Sequence, residues 1–279
     1  MFVNHVHLLP AEVRCDGTLD AFLKLAEQFE FEGAVCFAPF SYQYSRTGLS
    51  GNHNDWLYET IKHRSNLVGY GTLNPLLPAV PQVKQIAELG FKGIKLHPPA
   101  QKFAIFGDWA RDAYAAMEEY GLVADFHLGI HWHRLSDYDP MWCDEIAYHY
   151  PGLKMVFEHV GGWHFYRQVL AVITNNRLRG NHLYAGIASV LNRESQRYWY
   201  LGPEGISECH WQIGPDLLIY GLDFPYNGPA EIAADLAQIR NLPWPREDIE
   251  ALLGGNLKRL LGFTEGTARI VGGDPVKGR

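Results

Sequence analysis

A chain of 279 residues with 47% hydrophobic and 20% charged side chains has enough apolar surface for one large domain, which excludes wholesale disorder. A net charge of -7 without any Lys/Arg run argues against nucleic-acid binding, which needs a clustered cationic face. No apolar stretch is long enough to span a bilayer, so no membrane partner is expected.

The N-terminus lacks a basic segment followed by an apolar one, and Cys15, Cys36, Cys143 and Cys209 are widely spaced without a Cys-x-x-Cys pair. Free thiols and a cytoplasmic location are the expectation.

The chain opens on Val3-Asn4-His5-Val6-His7-Leu8-Leu9-Pro10, an apolar run that reads as a β-strand. Side chains alternate across a strand, so His5 and His7 share a face about 6.6 Å apart, a spacing that lets two imidazoles grip one metal ion. Taken alone, the pair reads more readily as two hydrogen-bonded histidines at a strand end, and it is the ligand-type residues at the ends of later strands that favour a metal.

Residues 19–30 have helical spacing (Phe22, Leu25, Ala26, Phe29), and 34–38 form a short buried strand. A polar loop over 41–54 is long enough to be functional. Residues 55–63 read as a helix and 67–73 as a strand stopped by Asn74-Pro75. The alternation then repeats, with helices over 80–89, 108–120, 139–150, 163–173 and 203–213. Strands fall at 92–97, 122–128, 154–160, 181–188 and 217–222. Helices over 229–239 and 247–253 and a turn over 256–261 close the pattern.

Eight short apolar strands alternating with helices predict a (β/α)8 TIM barrel. An open doubly wound sheet is the runner-up, but no Gly-x-Gly-x-x-Gly follows the first strand. One domain is expected over 1–263, with a Gly-rich C-terminal tail over 264–279.

In such a barrel, chemistry gathers at the C-terminal ends of the strands. Those ends supply His5 and His7 from the first strand, Lys95 and His97 from the fourth, and Asp125 and His127 from the fifth. The sixth offers Glu158 or His159, and the eighth Asp223. This mixture of nitrogen and oxygen donors suits zinc, and also manganese or iron. His131, His133 and Arg134 follow the fifth strand as candidate substrate contacts. Trp163, His164 and Arg167 follow the sixth. An arginine there either holds a substrate carboxylate or pairs with an acidic neighbour. Tyr198-Trp199-Tyr200 read as a pocket lid or, preferably, a subunit contact.

The pattern resembles the amidohydrolase superfamily, most closely the amidohydrolase-related branch that includes aminocarboxymuconate-semialdehyde decarboxylase and related decarboxylases and lactonases. The matching pieces are His5-Val6-His7 with Leu9-Pro10, Gly90-Phe91-Lys92-Gly93-Ile94-Lys95-Leu96-His97-Pro98 and Phe126-His127-Leu128-Gly129. Glu158-His159-Val160-Gly161-Gly162, Tyr220-Gly221-Leu222-Asp223-Phe224-Pro225 and Gly255-Asn256-Leu257-Lys258-Arg259-Leu260-Leu261-Gly262 complete the set. The resemblance implies one divalent metal among His5, His7, His127 and Asp223. His159 is then a catalytic histidine or a ligand of a second ion, and Asp223 also handles the proton of the attacking water. Where the family often has an aspartate two residues before the first histidine, this chain has Val3. In binuclear relatives a carboxylated lysine on the fourth strand bridges two metals; for Lys95 an ion pair in the barrel mouth is the preferred reading.

Three function classes follow: a metal-dependent hydrolase of a small amide, lactone or ester; a non-oxidative decarboxylase of a small unsaturated or aromatic acid, for which Arg134, Arg167 and Arg197 are candidate carboxylate holders; and an inactive metal- or ligand-binding barrel. The partner expected is a small-molecule substrate. The family's frequent dimers and the aromatic surface are compatible with a homodimer.

Overall fold

Runs of β-branched and aromatic residues bounded by glycine, proline or polar turns form eight strands. They are β1 (Phe2–His7), β2 (Gly33–Phe37), β3 (Leu67–Thr72), β4 (Gly93–Leu96), β5 (Val123–His127), β6 (Lys154–Glu158), β7 (Leu183–Ile187) and β8 (Leu218–Phe224). Each pairs in parallel with the next, and β8 pairs with β1, so the sheet closes into the expected (β/α)8 barrel. This computed structural model describes residues 1–263, and the tail expected over 264–279 lies outside the described residues.

One principal helix follows each strand: α1 (Leu19–Gln28), α2 (His53–Ile61), α3 (Ala79–Glu88), α4 (Asp108–Glu119), α5 (Met141–His149), α6 (Gly162–Arg177), α7 (Gly202–Ile213) and α8 (Pro229–Arg240). Thr18 caps α1 by accepting from the Ala21 N–H at 3.3 Å. Outward strand residues such as Ile94, Phe126 and Phe157 pack with the apolar stripes of these helices, including Val83, Ile86, Tyr114 and Met117. Truncating one such side chain, Phe157→Ala, costs ~3–5 kcal/mol.

Inward residues change character along the barrel axis. Val35, Val68, Tyr70, Val123, Val156 and Ile219 form an apolar layer packed with Leu257 and Leu260. One step towards the C-terminal ends, alternation places Lys95, Asp125 and Glu158 inside, all buried. A further step brings His97, His127 and Asp223 to the mouth.

β1 breaks the alternation. Val3 pairs with Ala34 and Val6 with Cys36, so β1 holds one extra residue there. His5, at φ 62°, is part of this bulge. As a result Asn4, His5 and His7 all reach the interior.

The segment expected as a polar loop over 41–54 contains a short helix, Ser41–Tyr44, and α2 begins at His53 because Asn52 caps it. Near the C-terminus the expected helix over 247–253 is a helix Arg246–Glu250 followed by a wider turn, Ala251–Gly255. Gly254, at φ 146°, lies where a Cβ would come within 2.6 Å of the Phe2 backbone nitrogen, so the chain must open there. No helix among the described residues is long and apolar enough to cross a membrane.

Candidate active site

Ligand-type atoms of His5, His159 and Asp223 lie within 4.8 Å of one another at the C-terminal mouth of the barrel. His5 Nε2 is 3.3 Å and His7 Nε2 3.8 Å from Asp223 Oδ1. The Ser189 hydroxyl donates to Asp223 Oδ2 at 2.6 Å, and Asn227, itself held by Gln196, donates to Ser189 Oγ. His5, His159, Ser189 and Asp223 all have positive φ, between 53° and 62°. Non-glycine residues in that region cost ~1–3 kcal/mol each, and such strain clusters at functional sites.

The hydrogen bonds define proton positions. The Ala188 carbonyl can only accept, so His159 donates to it from Nδ1 at 2.8 Å and keeps a lone pair on Nε2. His127 Nδ1 lies 3.2 Å from that Nε2 and therefore donates to it. The remaining nitrogen, His127 Nε2, is buried without a hydrogen-bond partner among the described residues.

Burial dominates the imidazoles. It holds His5, His97 and His127 well below the usual imidazole range, His7 at about 3 and His159 at about 4. Burial pushes the Asp223 carboxyl up, but the facing imidazoles of His5, His159 and His7 and the Ser189 hydroxyl outweigh it, leaving the group ionised at neutral pH. Beneath this cluster, Lys95 Nζ donates to Asp125 Oδ1 at 2.8 Å with both groups buried. Burial still raises Asp125 to about 8 against the Lys95 charge.

A cleft with two lobes opens over the cluster. The inner lobe, about 190 Å³, is walled by Phe40, Tyr42, Gln43, Tyr226 and Trp199 above His7, Lys95, His97, His127, His131 and Asp223. The outer lobe, about 270 Å³, shares His131, Trp199, Asp223 and Tyr226 and adds Ser195, Gln196 and Arg197. The rings of His97 and His127 stack with centroids 3.9 Å apart, and His131 meets both edge-on.

Most residues named from the sequence therefore converge: His5, His7, Lys95, His97, His127, His131, His159 and Asp223. Three do not. Arg134 is exposed and pairs with Asp137 at 2.8 Å. Arg167 reaches Glu208 on α7 at 3.4 Å. His164 and Arg167 border a separate hollow with Met141, Trp163 and Tyr166 on the outside of α6, and none of these residues lines the cleft. Conversely, Asn4, Ser189, Gln196 and Asn227 belong to the site although no motif marks them, and Trp199 turns inward over His159.

The donor set fits a divalent ion. Neutral imidazoles and an ionised carboxylate converge, and both nitrogens of His5 and Nε2 of His127 are buried with no aligned hydrogen bond among the described residues. Residues 8–263 match the family model described as amidohydrolase. The chain belongs to the amidohydrolase superfamily. The match begins just past His5 and His7, so those two histidines enter the site on geometry rather than on the family model.

No curated protein matches the chain. Among solved structures, the amidohydrolase barrel is similar to a putative 2-pyrone-4,6-dicarboxylic acid hydrolase from Pseudomonas putida. Identity is 16%, the TM-score 0.69, and 94% of this chain and 97% of that one are covered. It is similar also to 5-carboxyvanillate decarboxylase from Sphingomonas paucimobilis (14% identity, TM-score 0.67, 95% and 99% covered). A third is a dihydroxybenzoic acid decarboxylase from Polaromonas sp. with bound manganese and the inhibitor 2-nitroresorcinol (13% identity, TM-score 0.66, 93% and 96% covered). At these identities the likeness shows the shared fold.

Proposed function

We propose that this amidohydrolase-superfamily protein is a metal-dependent hydrolase of a small amide, lactone or ester. The observation that carries the proposal is Asp223: an ionised carboxylate at the cleft floor, with Oδ2 fixed by Ser189 and Oδ1 turned to His5 and His7. His5, His7, His127 and Asp223 would hold a zinc, manganese or iron ion. Such an ion, when bound, polarises a carbonyl and acidifies water.

The chain's own groups do the rest. Asp223 Oδ1 is placed to accept the proton of the attacking water, and the Ser189 bond keeps the carboxylate from rotating away. His159 Nε2 is unprotonated, but its lone pair accepts from His127 Nδ1, so the ring first of all fixes His127 with Nε2 turned away from that bond. A proton taken up by His159 Nε2 would have to displace the His127 bond, and because burial holds the ring at about 4 it would pass readily to the leaving nitrogen or oxygen. Phe40, Tyr42, Trp199 and Tyr226 offer apolar walls that orient a small flat substrate and exclude water.

A second reading, decarboxylation of a small aromatic or unsaturated acid, is favoured by one feature. Arg197 lines the outer lobe beside Asp223, where it can meet a carboxylate. The test is an assay of the zinc- or manganese-loaded protein on lactones, esters, amides and aromatic acids, following hydrolysis and carbon dioxide release separately. Hydrolysis lost in Asp223→Asn supports the proposal. Carbon dioxide release without hydrolysis supports the second reading, and no turnover by fully loaded protein contradicts both.

A further inference from the structure

Glu158, the last residue of β6, is fully buried just before His159, yet the proposed chemistry does not use it. Its Oε1 is clamped by Asn4, whose Nδ2 donates to it at 2.5 Å. The same Nδ2 lies 3.1 Å from Asp125 Oδ2, and Asp125 is anchored in turn by Lys95. This leaves Glu158 Oε2 aimed at His5 Nδ1, 2.9 Å away. The angle is too poor for an aligned hydrogen bond, but neither atom has a hydrogen-bond partner elsewhere among the described residues. A buried carboxylate oxygen or imidazole nitrogen left unpaired is costly, so each is the other's remaining partner.

The neighbouring strands leave room for this contact. A Cβ at Gly186 on β7 would stand 2.4 Å from Glu158 Oε2, and one at Gly221 on β8 would stand 2.9 Å from the His5 Cβ. Neither glycine has a positive φ, so what each provides is space rather than backbone freedom.

We propose that Glu158 is a positioning residue for metal binding: clamped by Asn4, its carboxylate faces His5 Nδ1 and so presents Nε2, the nitrogen nearest Asp223, to a divalent ion. Histidine ligands are commonly oriented in this way by a carboxylate on the second nitrogen, and loss of that partner weakens metal affinity about 10–100-fold. The inference rests on His5 being a ligand.

The test measures the zinc dissociation constant of metal-stripped protein by competition with a chromogenic chelator. Wild type is compared with Glu158→Ala, Glu158→Gln and Gly186→Ala, and the thermal midpoint of each apo protein is recorded alongside. The expected result is affinity about 10–100-fold weaker in Glu158→Ala, with Glu158→Gln intermediate. Gly186→Ala, which keeps the carboxylate but displaces it, should weaken binding as well. A purely structural role would lower the apo midpoint without changing the zinc affinity of the folded protein. Variants that fold and bind zinc as tightly as wild type overturn the inference; should Glu158→Ala not fold, Glu158→Gln and Gly186→Ala decide in the same way. A wild type that binds no zinc removes His5 as a zinc ligand, a failure distinct from equal binding by all four proteins, and the inference falls with it.

Discussion

The indole of Trp199 lies over the imidazole of His159 with centroids 4.4 Å apart and planes 28° apart, and its Nε1 donates to the Ile130 carbonyl at 2.7 Å. One side chain after β7 thus steadies a histidine after β6 and the loop after β5. Aromatic stacking contributes ~0.5–1.5 kcal/mol. Trp199→Ala is expected to lower kcat about twofold to tenfold and raise KM, because the indole also borders both lobes of the cleft. Steady-state kinetics on the substrate identified for the wild type checks this.

Lys95 and Asp125 form a buried ion pair. Removing one member of such a pair destabilises by ~3–5 kcal/mol because the other is left uncompensated. Lys95→Met should therefore lower the denaturant midpoint. Burial already raises Asp125 to about 8 beside Lys95, so without that charge it stays protonated near pH 7; the loss should be small there and grow towards the full figure only as pH rises above about 8. A lysine committed to Asp125 also predicts that activity does not depend on added bicarbonate, as it would if carboxylated Lys95 bridged two metals.

Asp235 on α8 is buried, its Oδ1 has no hydrogen-bond partner among the described residues, and burial together with the Glu231 charge pushes its carboxyl up to about 7. The unfolded value is ~3.9. Between roughly pH 4 and 7 the folded state therefore holds a proton that the unfolded state has lost, so stability falls as pH rises through this window. Asp235→Asn should raise the thermal midpoint at pH 8 and leave it unchanged near pH 4. The difference should be on the order of 2–4 kcal/mol at the higher pH.

Arg197 lines the outer lobe, whereas Arg134 and Arg167 are occupied by Asp137 and Glu208. If the substrate bears a carboxylate, Arg197→Met should raise KM about tenfold or more, as loss of a charge-assisted hydrogen bond of ~1.5–3 kcal/mol implies. Arg134→Met and Arg167→Met should leave KM unchanged. Kinetics on a carboxylated substrate and its neutral ester separate these outcomes.

Much of this organisation was legible in the sequence because strand alternation is a strong signal. Counting in twos along β4, β5 and β6 places Lys95 and His97, Asp125 and His127, and Glu158 inside the barrel, where the structure has them. The bulge at His5 defeated that rule on β1: Asn4 should point outward, yet it clamps two carboxylates. Ser189 and Asn227 lie in irregular segments, where no periodicity tells which way a side chain turns. The same loss of phase left Trp199 between lid and subunit contact. The Arg134–Asp137 pair is local and could have been anticipated from its spacing, but Arg167 meets Glu208 only because α6 and α7 pack side by side.

The central claim is a metal site built on the first strand. Its most direct test is elemental metal content of the purified protein beside His5→Ala, each after reconstitution with zinc or manganese. One site, made of His5, His7, His127 and Asp223 at the barrel mouth, predicts close to one equivalent in the wild type and its loss in the variant. A wild type that takes up no metal, or a variant that retains the full equivalent, would contradict it.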